Sequence, residues 1–203
     1  MASGYGAALT VTALTSANPA VATSTAHGLA NGDYVEVTSG WSRLTDKVVR
    51  VANVAANTFE LEGYDASSTT IYPTGGGTGS VRKITGFTQI TQILSSSSSG
   101  GDQQFLDYQF LESDAQKRIP TFKNSAGLQL GIADDPSLAG YILASAANDD
   151  RLTRALRITL ANSSKILYNA FVSLNKTPTL NVNQLMEVQV TLSLRNEPVR
   201  YQT

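Results

Sequence analysis

Between residues 186 and 195 apolar and polar side chains alternate without a break. Met186, Val188, Val190, Leu192 and Leu194 face one way; Glu187, Gln189, Thr191, Ser193 and Arg195 face the other. A period of two marks a β-strand with one dry and one wet face. At about 3.3 Å per residue such a strand runs roughly 30 Å. A strand this long with a wholly polar face needs solvent, or a water-filled channel, beside it. The first part of the chain points to strands as well, at 21–25, 34–38, 48–51 and 58–61, rich in Val, Thr and aromatics. Asn18-Pro19, His27-Gly28, Asn31-Gly32-Asp33 and Gly63 separate them with turn chemistry. Glu36, Glu60 and Glu62 alternate with Val35, Val37, Phe59 and Leu61, again the pattern of one-sided strands. The expectation is a mainly β protein that begins with a small barrel or sandwich module and closes it with a glycine-rich loop at 75–79.

Beyond residue 79 the texture changes. Segments 80–94 and 102–112 read as longer strands joined by a flexible Ser/Gly joint at 95–101. Leu106, Tyr108 and Phe110 share one face of the second strand, with Asp107 and Gln109 on the other. Segment 113–127 carries Lys117, Arg118 and Lys123 around Pro120 and reads as a long basic loop of the kind that partners order. Asp134-Asp135-Pro136 has the chemistry of a helix start, with the two aspartates as caps. Leu138, Tyr141, Ile142 and Ala146 then recur at helical spacing to about Asn148. Leu156, Ile158 and Leu160 alternate with Arg157 and Thr159, Asn162-Ser163-Ser164 turns the chain, and 166–174 returns as a strand.

Charge and cysteine content narrow the function. The 203 residues carry 15 Lys plus Arg against 16 Asp plus Glu, where average usage would give about 51 charges. Hydroxyls take their place: 21 Ser and 22 Thr. A chain of formal net charge -1 is not built to hold polyphosphate by bulk attraction. With no Cys and one His, disulfides, thiolate nucleophiles, zinc knuckles and two-imidazole metal sites are all excluded. The first Lys or Arg is Arg43, so no secretory signal is expected. No apolar run approaches the roughly 20 residues that span a bilayer. These features suit a soluble, intracellularly made structural part with no cofactor, rather than an enzyme.

The local clusters have bland readings. Asp149-Asp150 with Arg151, Arg154 and Arg157 reads as surface charge or as salt links to a neighbouring subunit. His27 reads as a loop histidine, since no GxSxG elbow accompanies it. The glycines at 75–79 match neither a dinucleotide fingerprint nor a P-loop. Trp41 is either the lid of a small core or an exposed platform for a sugar ring.

FLDYQFLESDAQKRIPTFKNSAGLQLGIADDP, followed by RALRITLANSSKILYNAFVSLNKTPTLNVNQLMEVQVTLSLRNEPVRY, resembles the tail tube (major tail) protein of long-tailed, non-contractile bacteriophages over roughly residues 79–203. The resemblance implies a β-sandwich or open barrel with one flanking helix. It also implies a virion protein, made in the cytoplasm of the infected bacterium, that assembles into hexameric rings stacked as a tube. The tape-measure protein and DNA would pass through it, with tail terminator and tail-tip proteins at its ends and no membrane involved. NPAVATSTAHGLANGDYVEVTSG, RVANVAANTFELEGYD and TGGGTGSVRKI resemble a separate small β-module found in many phage virion proteins. The expected division is a core of 1–15 and 79–203 with residues 16–78 inserted on the tube exterior. Segment 8–15 also reads as the module's own first strand, which leaves that boundary open. In such a ring, lumen candidates are Gln103, Asp107, Gln109, Glu187, Gln189 and Thr191. Ring-contact candidates are Ser97, Gly100, Lys117, Arg118, Lys123, Arg151 and Arg154. The rival readings are a glycan- or host-surface-binding sandwich using Trp41, and a tube subunit of a contractile tail or secretion apparatus.

Overall fold

The valine- and threonine-rich segments of the first part close into a small barrel. In the computed structural model, which describes residues 1–180 and 183–202, seven strands form one antiparallel sheet. They are β1 (Ala2–Val11), β2 (Ala13–Leu14), β3 (Ala20–Thr23), β4 (Tyr34–Ser39), β5 (Val48–Ala52), β6 (Thr58–Leu61) and β7 (Gly79–Phe87), in the order β1-β7-β4-β5-β6-β3-β2. Only Thr12 separates β1 from β2. The two ends of the sheet are therefore consecutive pieces of one strand, and the sheet closes on itself. Val35, Val37, Val49, Val51, Phe59, Leu61 and Val81 fill the interior. Trp41 lids it: only 2% exposed, it donates from Nε1 to the Pro73 carbonyl at 3.0 Å and meets Tyr72 edge-on. The glycine run earns its composition here, since a Cβ on Gly77 would lie 2.9 Å from the Trp41 ring.

The second part continues with β8 (Ile93–Ser99), β9 (Gln103–Tyr108), β10 (Lys117–Lys123) and β11 (Gly127–Ala133). Then come α1 (Ala139–Asp150), β12 (Thr153–Thr159), β13 (Lys165–Thr179), β14 (Glu187–Leu194) and β15 (Val199–Tyr201). Five of these strands pair in the order β12-β13-β14-β11-β8, β15 adds to β13, and the sheet curls as a half-barrel. The alternation read at 186–195 holds within β14, where Val188, Val190 and Leu192 are buried and Gln189 and Ser193 exposed, but not at Met186, which precedes the strand and is 48% exposed. On the dry face they pack with Leu130, Ile132, Val172 and Leu174 beneath Ala144 and Ala147 of α1. The expected class, mainly β with one flanking helix, is what the described residues show.

Several local expectations fail for identifiable reasons. The serine run is not a flexible joint but the edge strand β8, antiparallel to β11, with Ser95 opposite Gly131 and Ser99 opposite Gly127. Strand pairing is made by the backbone, and exposed serines do not oppose it. The joint is Gly100-Gly101, whose φ of 73° and 82° glycine tolerates best. The basic loop is half strand, because β10 pairs with β9 as a separate two-stranded hairpin. Asp134 and Asp135 do not cap the helix. It starts at Ala139 behind Leu138, with no side-chain cap bond. The Asp135 carboxylate instead accepts from the Ser137 N–H at 3.0 Å, a turn that uses up the capping chemistry three residues early. The buried helix face is Gly140, Ala144 and Ala147, and Ile142 is 56% exposed. Small residues let the helix approach closely; a Cβ on Gly140 would sit 2.7 Å from the Gln89 carbonyl oxygen.

β1 and β7 belong to both units. Val11 and Val81 lie in the barrel core, Met1 in the half-barrel core, and Ala2 and Ile84 in a third cluster with Val48, Ala155, Leu167 and Tyr201. That cluster joins the two layers. Beside it lies Glu36, expected on a wet face and in fact 6% exposed.

Candidate functional site

The wet face of the half-barrel is set by register. Thr191 lies opposite Gln129 and Ser173, and Gln129 opposite Ser97. The next row is Ser95, Gly131, Gln189 and Asn175, and the row on the other side is Ser99, Gly127, Ser193 and Phe171. None of these twelve residues is ionisable. Gln189 Nε2 donates to Gln129 Oε1 at 3.4 Å across the strands. Charge enters only at the ends. Glu187 accepts from Ser95 Oγ at 3.2 Å, and Arg195 lies over the Phe171 ring and pairs with Asp46 at 2.7 Å. The surface is thus a hydroxyl- and amide-covered sheet that offers water hydrogen bonds and no fixed charge in its middle.

Of the six lumen candidates, Glu187, Gln189 and Thr191 share this face. Gln103, Asp107 and Gln109 do not join them; they sit on the β9–β10 hairpin and its tip. Asp107 pairs there with Arg118 at 2.5 Å, Gln103 donates to the Phe122 carbonyl, and Gln109 donates to the Ser113 carbonyl at 2.8 Å. Gln129, Ser173 and Asn175 belong to the wet face but escaped the sequence reading, although each alternates with buried neighbours such as Leu130, Val172 and Leu174. In β11 the glycines blur that pattern.

The ring-contact candidates scatter over three places. Ser97 lies on β8 and Gly100 in the turn after it. Lys117, Arg118 and Lys123 lie along β10, with Lys123 paired to Glu197. Arg151 ends the helix in the left-handed region at φ 55°, and Arg154 pairs with Asp150 within the chain. Asp149 holds Lys176 at 3.1 Å, and that bond keeps its carboxyl below the usual carboxylate range.

A second polar feature lies between the layers. Glu36 accepts from Arg82 at 2.5 Å, Asn169 at 2.7 Å and Thr153 at 3.2 Å. Arg82 also stacks over the Tyr5 ring, and the Tyr5 hydroxyl accepts from the Ala155 N–H at 2.7 Å. This network fastens barrel to half-barrel. His27 is likewise structural: Nδ1 accepts from the Leu29 N–H, so Nε2 carries the proton and donates to the Ala55 carbonyl. Among the described residues no three His, Cys, Asp or Glu side chains come together as a metal site. No helix among them is long and apolar enough to cross a membrane.

The fold is mainly β, a curled sheet of antiparallel strands that is dry against a helix on one face and uncharged across the middle rows of the other. The family model of the phage tail tube protein, TTP, matches residues 39–203, and the chain belongs to that family. It is a structural protein of the virion tail. No curated protein matches the chain.

Proposed function

We propose that the protein assembles into hexameric rings that stack into the tail tube, with the uncharged face of the half-barrel lining the channel. The observation that carries this reading is the central three rows of that face, twelve positions without an ionisable group. A wall bearing fixed cations would bind phosphate and stall a passing duplex. A hydroxyl and amide surface stays hydrated and lets DNA and the tape-measure protein slide. β8 supports the ring. Its seven residues are all exposed, and among the described residues β11 is its only strand partner. An edge strand carrying only short hydroxyl side chains at its serines is open to pairing with a neighbouring copy.

The barrel formed largely by residues 16–78 is an insertion on the outside of the tube in this reading, and terminator and tip proteins close the ends. A sugar-binding role for Trp41 loses its platform, since the indole is buried in the barrel. Electron microscopy of the purified protein at high concentration tests the proposal. Rings or tubes with an open channel are expected, and dispersed monomers under all conditions would contradict it.

A further inference from the structure

The β9–β10 hairpin has almost nothing to pack against. Phe105, Leu106, Phe110, Ile119 and Phe122 are 47–68% exposed, and Leu111 at the tip is fully exposed. Apolar side chains held out this way mark an interaction surface. The tip, residues 109–116, carries Glu112 and Asp114 and no cation. At the root of the hairpin, where it meets the barrel, lies an open cleft of about 500 Å³. Its ionisable lining includes Arg43, Lys47 and Lys123 against the single carboxylate Glu197, with Tyr64 and Tyr72 forming an apolar wall. Lys123 pairs with Glu197, and Lys47 Nζ donates to the Glu197 carbonyl at 3.1 Å. Arg43 is exposed and has no ion pair among the described residues. The cleft is therefore left with positive charge, and burial already pulls the Lys47 amine below its ordinary value.

Building on the stacked-ring reading, we infer that the acidic hairpin tip of one copy seats in the basic cleft of the next copy along the tube. The geometry makes the contact self-propagating. From Gln103 to Tyr108 strand β9 reaches roughly 17 Å at about 3.3 Å per residue, and the 109–116 turn carries the tip beyond it. A copy displaced along the hairpin by its own length therefore brings its root, and so its cleft, to the first copy's tip. This is a head-to-tail contact between two different surfaces, the kind that builds open filaments. Glu112 and Asp114 meet Arg43 and Lys47, while Phe110 and Leu111 leave water against Tyr64 and Tyr72. Complementary charge at the tip sets which surface it finds.

The chain contains no Cys, so a disulfide test has a clean background. An Asp114→Cys, Arg43→Cys variant is oxidised at a concentration where tubes form and run on a non-reducing gel. Because tip and cleft of one chain are too far apart to join, the pair is expected to give a ladder of multimers, whereas each single variant stops at dimers. The charge-reversal pairs Glu112→Lys, Asp114→Lys and Arg43→Glu, Lys47→Glu are each expected to leave rings but cut tube yield by about tenfold, equivalent to about 1.4 kcal/mol. All four changes together are expected to restore tubes. Wild-type stacking in either reversal pair, or no ladder from the double-cysteine protein, overturns the inference. Rings absent from the wild-type protein overturn the ring reading beneath it.

Discussion

Glu36 shows how one residue can join two layers. Its carboxylate takes three side-chain donors, and only the Arg82 partner is well exposed, at 42% of its side chain. Removing the acceptor strands Asn169, whose Oδ1 is already buried without a partner. We expect Glu36→Ala to cost about 3 kcal/mol in denaturant unfolding, the low end for a broken buried ion pair because Arg82 keeps access to water. A loss below about 0.5 kcal/mol would show the network to be idle. This residue was not legible as a staple. Alternation placed it correctly on the opposite side from Val35 and Val37, but a lone sequence does not say that a second sheet covers that side. Trp41 was half legible: the sequence offered lid or platform, and Pro73, Gly77 and Tyr72 decide it, all more than 30 positions away in the chain.

At the scale of elements, strands that bury one face were readable and those that bury neither were not. β14 and the β12–β13 hairpin follow directly from alternation and the turn at 162–164. β8 has no apolar pattern beyond Ile93 and Leu94, because its place comes from backbone pairing with β11. The helix itself was legible, but its buried face only in part: Tyr141 packs on the core, Ile142 is exposed, and the closest contact is made by Gly140, Ala144 and Ala147. Gly140→Ala is the informative change. It improves helix propensity by about 1 kcal/mol, yet its Cβ would press on Gln89 O at 2.7 Å and Ile90 Cα at 2.8 Å, both backbone atoms. We expect net destabilisation of roughly 1–2 kcal/mol by denaturant titration. A stabilised variant would mean that the helix and the 88–92 segment are not in tight contact.

At the scale of the molecule, barrel and half-barrel form one body through the cluster around Tyr201. Its hydroxyl accepts from the Arg50 N–H at 2.8 Å and donates to the Glu62 carbonyl at 3.3 Å, and burial pushes its phenol up to about 12 from an ordinary 10.0. A raised phenol gives stability that is complete below the unfolded value and is lost as pH climbs through the folded one. Stability should therefore hold to about pH 10 and fall towards about pH 12. Tyr201→Phe should lower stability at neutral pH by about 1 kcal/mol or more and flatten part of that alkaline slope, read from unfolding midpoints across the range. An unchanged slope would place the alkaline loss on Tyr5, Tyr64 and Tyr141, which burial also raises. Cysteine labelling of assembled tubes tests most directly which face of the half-barrel looks into the channel. Gln189→Cys should react with a bulky polymer-linked maleimide in dispersed protein and be shielded in tubes, while Thr70→Cys, at an exposed position of the barrel's β6–β7 connection, should react in both. Equal labelling of position 189 before and after assembly, with Thr70→Cys shielded instead, would contradict the account.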